Sequence, residues 1–175
     1  MKEKKRKPIG KRKEEVFFII SEIIAEKGLS EVSTTEVAKR LGVSQPAIYK
    51  YFKNKDEMIV YFLESLKKQL SEIIKKAKEE KSTEDRLRKI YTEHFRLIGR
   101  SKILPRVVFS DIVHMGKEEK KEKLREVIYM YKEGIKQILE EGIKKGELKP
   151  FDPEWGARFI IGTILQQLFS GCLMG

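Results

Sequence analysis

Residues 34 to 55 read TTEVAKRLGVSQPAIYKYFKNK, and the spacing of small and apolar residues in this stretch is that of two short helices joined by a tight turn. Ser33-Thr34-Thr35-Glu36 has the form of a capping box, in which Ser33 bonds the Glu36 amide and Glu36 reaches back. Val37, Ala38 and Leu41 are expected to face inward, Gly42 to make the turn and Val43 to plug the corner. Ser44 is expected to cap the second helix, with Pro46 in its first turn, where a missing amide hydrogen costs little. Ile48 and Phe52 anchor that helix, which the pattern ends near Phe52. The face left free carries Gln45, Ala47, Tyr49, Lys50 and Tyr51, side chains able to reach base edges and phosphates if the helix enters a major groove.

Charge supports that direction. The 175-residue chain has a net charge of +11, with 38 Lys and Arg against 27 Asp and Glu. A net +7 falls in residues 1–55 and +4 in the rest, over more than twice the length. Met1 to Lys13 alone carries eight basic residues and one acid, which suits an arm lying on phosphates or a solvated tail. With 40% hydrophobic residues the chain can bury a core. Its single Cys excludes an internal disulfide and fits a reducing cytoplasmic setting, with Cys172 read as a small buried hydrophobe. No secretion signal is read at the N-terminus. Phe159 to Gly175 is the longest uncharged stretch, shorter than the roughly 20 apolar residues of a membrane span.

Apolar residues recur at helical spacing along the whole chain and no stretch alternates with period two, so the class is all-α with eight helices. Three make a head: about Lys11 to Lys27, closed by a left-handed Gly28, and the two short helices above. A boundary is expected at residue 53, dividing residues 1–53, the basic arm and helix-turn-helix head, from residues 54–175, a second helical domain. In the second part the pattern gives a helix capped by Asn54 and reaching about Lys81, one from Ser82 to about Gly99 and one from about Lys102 to His114. Two more run from Lys117 to Lys145 and, after the Asp152-Pro153 start, to the chain end. Gly134, Gly142, Gly156 and Gly162 interrupt these last two and imply close helix approach.

The head resembles the TetR/AcrR transcriptional regulators through Thr34-Thr35, Leu41-Gly42-Val43-Ser44 and Ile48-Tyr49-Lys50-Tyr51-Phe52 followed by Lys53-Asn54-Lys55. The match is specific over about residues 12–60. The resemblance implies that Ser44, Gln45, Ala47, Tyr49, Lys50 and Tyr51 face double-stranded DNA, with Thr34 or Thr35 and Lys55 holding phosphates. Pro46 stands where the family often has glycine or another small residue, and Lys50-Tyr51 replaces a commoner aromatic-His pair, so the operator sequence does not carry over. The resemblance also implies a homodimer through residues 117–145 and 153–174, with Phe159, Thr163, Gln166, Gln167 and Ser170 or their helical neighbours at the interface.

For the second domain the expected cavity lining is Phe62, Leu66, Phe95, Ile98, Val107, Val108, Asp111, His114 and Tyr129, mostly apolar with a few polar groups. That lining suits a hydrophobic or amphipathic small-molecule effector. His94 and His114 have no metal-ligand spacing around them and are read as structural histidines; no metal and no cofactor are expected. No phosphate loop, nucleophile elbow or carboxylate pair suggests an enzyme. The expected function is a ligand-responsive repressor of a palindromic operator; the alternative is an architectural DNA-binding protein without effector, which a solid second domain would favour.

Overall fold

In the computed structural model the described residues are 9–99, 107, 110 and 118–173, and among them there are helices and no strand. They form α1 (Ile9–Lys27), a 3-10 turn (Leu29–Glu31), α2 (Thr34–Leu41), α3 (Gln45–Tyr49), α4 (Lys55–Lys78), α5 (Thr83–Gly99), α6 (Glu118–Lys144) and α7 (Pro153–Leu173). The all-α expectation holds. The helix expected over Lys102 to His114 lies outside the described residues, except for Val107 and Ser110.

Local chemistry sets most of the boundaries. Ser33 Oγ accepts from the Glu36 amide at 3.1 Å, and Asn54 Oδ1 accepts from the Glu57 amide at 2.9 Å. The Glu36 carboxylate does not complete the capping box as expected; it is drawn to Arg40 at 2.9 Å and Lys27 at 3.4 Å, since a cation offers it a stronger partner than a backbone amide. Gly42 closes α2 in the left-handed conformation (φ 67°, ψ 36°), open to glycine at no steric cost. Gly28 differs from the expectation: its φ is 94° but its ψ of 168° is extended, which launches the 3-10 turn that follows rather than closing α1 in the left-handed form.

The head core is Val16, Phe17, Ile20, Ile23 and Ile24 of α1 against Val37, Ala38, Ile48 and Phe52. Met58, Ile59 and Phe62 at the front of α4 complete it, and the Phe62 ring stacks on Phe17 with centroids 5.1 Å apart. The back of α4, through Leu70, Ile73 and Ile74, packs in the body on α6, so one continuous helix belongs to both cores. A side chain could not replace Gly134 there: a Cβ would sit 2.8 Å from Ile74. Gly142 and Gly156 are as crowded, each with a neighbour 2.5 Å from a Cβ position, against Thr83 and Phe151 respectively, whereas Gly162 has nothing within 4 Å among the described residues. Three of the four expected close approaches are therefore made within the chain.

Ion pairs fasten the layers. Arg40 of α2 holds Glu26 of α1 at 2.5 Å, and its guanidinium lowers the pKa of both Glu26 and Glu36. Lys120, buried at the start of α6, donates to Asp56 in the first turn of α4 at 2.7 Å. Among the described residues no helix is long and apolar enough to cross a membrane.

Candidate nucleic-acid interface and interior cavity

The second helix of the helix-turn-helix, α3, is shorter than its pattern suggests. After Tyr49 the chain turns, and the Phe52 amide donates to the Ile48 carbonyl at 3.0 Å, which swings Phe52 into the head core. Ser44 is at the N-cap position, and its carbonyl receives the Ala47 amide at 2.9 Å, but its side chain makes no capping bond. Pro46 in the first turn removes one of the amides such a bond would serve, and the Ser44 hydroxyl is left on the exposed face.

The expected contact residues divide into three groups. Thr35, Ser44, Gln45, Tyr49 and Lys50 are exposed, with Tyr49 at 50%. Ala47 and Tyr51 are half-buried, and Tyr51 packs against the core. Thr34 and Lys55 are engaged within the protein. Thr34 is buried, and its Oγ1 accepts from Gln45 Nε2 at 3.2 Å. Lys55 Nζ donates to the Ser30 carbonyl at 2.5 Å, and burial pushes its pKa down. In this structure, without DNA, Thr34 positions Gln45 and Lys55 ties α4 to the 3-10 turn. Lys39, one helical turn after Thr35, is an exposed cation on α2 that the motif reading passed over, although its i+4 spacing was legible.

The body holds a partly open apolar cavity of about 90 Å³, with the exposed Ile128 at its edge. Its wall is Leu70 of α4, His94 of α5, Leu124, Val127, Ile128 and Tyr131 of α6, and Ile161, Ile164 and Leu165 of α7. Of the nine residues expected to line a cavity, the five whose side chains are described, Phe62, Leu66, Phe95, Val107 and Tyr129, are not in this wall. Phe62 and Leu66 are buried nearer the head, Phe95 is half-buried beside Tyr91, and Val107 is buried. Tyr129 is 63% exposed, with the Lys132 ammonium 5.3 Å from its ring, and borders an open groove between α4 and α6. The Ile98 side chain, Val108, Asp111 and His114 lie outside the described residues.

Two polar groups interrupt this aliphatic wall. His94 is 3% exposed, and its Nδ1 lies 2.9 Å from the Tyr131 hydroxyl. Burial lowers the His94 pKa to about 4 and raises that of Tyr131, so both are neutral near pH 7. His94 is buried and hydrogen-bonded through Nδ1, but its Nε2 has no partner among the described residues. The hint in the sequence was Tyr131, a polar-tipped residue inside the apolar stripe of α6.

On α7, Ile160 and Ile164 are buried, whereas Trp155 is 70% and Phe159 72% exposed. Of the expected interface residues, Gln166 and Gln167 are exposed, Thr163 is half-buried with its hydroxyl 2.6 Å from that of Tyr91, and the Ser170 side chain is outside the described residues.

Known proteins share this arrangement. Residues 20–61 match the bacterial regulatory proteins of the tetR family, and residues 80–167 match the tetracyclin repressor-like C-terminal domain. The chain is 30% identical over 145 residues to a fatty acid metabolism regulator protein of Bacillus subtilis, covering 82% of this chain and 74% of that one. It is 26% identical over 156 residues to the nucleoid occlusion factor SlmA of Vibrio cholerae, covering 87% and 80%. The crystal structure of the Bacillus subtilis transcriptional regulator FadR in complex with stearoyl-CoA superimposes with a TM-score of 0.72 at 26% identity, covering 89% of this chain and 84% of that one. With the helix-turn-helix head, the helical body and these matches together, the chain belongs to the tetR family of bacterial transcriptional regulators.

Proposed function

We propose that this regulator is a homodimeric repressor of a palindromic operator and that a long-chain acyl thioester releases it from DNA. The observation that carries the reading is the 30% identity to a fatty acid metabolism regulator across most of the chain, joined to structural likeness to a regulator holding stearoyl-CoA. The aliphatic cavity in the body agrees with an acyl chain as the effector. Thr35, Ser44, Gln45, Tyr49 and Lys50 would read or grip the DNA, with Lys39 and Lys53 beside them as exposed cations. Two such heads must stand about 34–36 Å apart, or a multiple, to meet successive major grooves. The exposed Trp155 and Phe159, beside the uncrowded Gly162, support α7 as the face where a second copy packs.

Release works by population shift. An acyl thioester that binds better to a body geometry with the wrong head separation weakens DNA binding by its differential affinity and no more. The coupling element is α4, whose front is part of the head core and whose back contributes Leu70 to the cavity.

The test is selection of the preferred operator from random duplexes, followed by titration with stearoyl-CoA. A twofold-symmetric site released by stearoyl-CoA is the expected result, and Gln45→Ala should weaken binding by roughly 1–3 kcal/mol and relax preference at particular base pairs. The likeness to a nucleoid occlusion factor favours a second reading, a DNA-bound protein indifferent to acyl compounds. A selected site that stearoyl-CoA leaves bound would support that reading.

A further inference from the structure

A buried polar atom normally has a partner, because leaving one unpaired costs as much as losing a hydrogen bond. His94 Nε2 is such an atom, set in the wall of a cavity whose other described lining residues are aliphatic side chains and Tyr131. The Tyr131 contact decides what Nε2 offers. If the Tyr131 hydroxyl donates to Nδ1, both are satisfied and the ring proton is on Nε2, a donor awaiting an acceptor. If Nδ1–H donates to the tyrosine oxygen instead, the Tyr131 proton and the Nε2 lone pair both go without a partner among the described residues. The first arrangement leaves one group unpaired and the second leaves two, so the first is the stable one. A lone water is a poor occupant, since it needs two to four polar partners and this wall supplies few.

We propose that His94, held by Tyr131, is the polar recognition point of the cavity: its Nε2–H donates to the carbonyl oxygen of a neutral alkyl carbonyl compound whose chain enters among the aliphatic side chains. The inference deepens the acyl-thioester reading above and takes its ligand class from it. Neutrality of the imidazole matters for selectivity. A carboxylate brought into this wall would surrender its hydration without meeting a cation among the described residues, whereas a thioester or ketone surrenders little. The cavity of about 90 Å³ is smaller than the apolar void of about 150 Å³ that accepts benzene, so the chain must displace aliphatic neighbours as it enters. That displacement uncovers Nε2.

Two measurements test this on the full chain. In the nitrogen spectrum of ¹⁵N-histidine-labelled protein at pH 7, His94 should be neutral with its proton on Nε2; a proton on Nδ1 would overturn the proposal. Calorimetry then compares octanoyl-CoA with its thioether analogue S-octyl-CoA, which lacks only the carbonyl. Wild type should prefer the thioester by about ten-fold, His94→Leu should bind the two alike, and His94→Gln, which keeps an N–H donor, should recover part of the preference. Equal binding by wild type, or a preference that survives in His94→Leu, overturns it. If neither coenzyme A compound binds, the acyl-thioester reading falls and 2-octanone decides the inference. A shift of the His94 Nε2–H resonance by 2-octanone upholds it, and no shift overturns it.

Discussion

The head and the body each hold one polar side-chain pair that the fold positions, and they are arranged in opposite ways. Gln45 and Thr34 meet at the surface, where the buried threonine steadies an exposed amide that still has an oxygen to spend on a partner. His94 and Tyr131 meet in the interior, where the pairing consumes one imidazole nitrogen and seals the other in an apolar wall. A surface pair suits a partner that arrives as a large polar object and is read from outside. An interior pair suits one small enough to be swallowed. The contrast locates two kinds of recognition in one chain, with α4 running between them.

The largest effect is expected at the junction, where the two regions share one apolar packing. Phe62 tests this, because it is fully buried and stacks on Phe17 at the junction. Phe62→Ala should cost about 3–5 kcal/mol in urea unfolding and loosen head and body together. A loss below about 1 kcal/mol would mean that the junction is not packed as described. Next in size is the outer face of α7. Phe159→Asp should weaken dimerisation by about 2 kcal/mol or more in sedimentation while leaving the monomer folded, since Phe159 is exposed within the chain.

The interior pair makes the protein sensitive to acid in a defined window. The folded His94 has a pKa of about 4, below its ordinary value of 6.5, so as pH falls the unfolded chain takes up the proton first. The contribution of neutral His94 is complete above pH 6.5 and is lost progressively from there towards pH 4. Between pH 7 and pH 5 wild type should lose about 2 kcal/mol more stability than His94→Leu, at fixed protein concentration. Equal losses would place His94 in a wetter environment than this one. The surface pair should give a smaller effect: Thr34→Val removes the hydroxyl that holds Gln45 and should cost about 1 kcal/mol in operator affinity with stability nearly unchanged. Smallest at the optimum salt is the basic arm. Deleting residues 2–7 should flatten the dependence of log K on log salt and leave the preferred sequence alone, and an unchanged slope would make the arm a tail only.

The two regions also differ in how legible they were. The helix-turn-helix is a local object: Ser33, Gly42, Pro46 and Asn54 announce its caps and turns within a few residues of where they act. What the pattern does not show there is which polar side chains also bond internally, as Thr34 and Lys55 do, since that depends on neighbours 11 and 25 residues away. The cavity is non-local. His94 and Tyr131 are 37 residues apart, and their meeting depends on how α5 and α6 are rotated against each other. Tyr129 and Tyr131 differ by two positions, roughly 200° around a helix, which is enough to put one in solvent and the other in the wall. Periodicity finds the buried stripe of α6 but not which part of a stripe borders a void.

The central claim, that occupancy of the body governs the head, is tested most directly by reciprocal titration of one protein sample with its selected operator and stearoyl-CoA. Coupling between binding sites is symmetric by thermodynamic necessity. Saturating stearoyl-CoA should weaken operator binding at least ten-fold, and saturating operator should weaken stearoyl-CoA binding by the same factor. Operator affinity that stays constant while calorimetry shows stearoyl-CoA bound would contradict it.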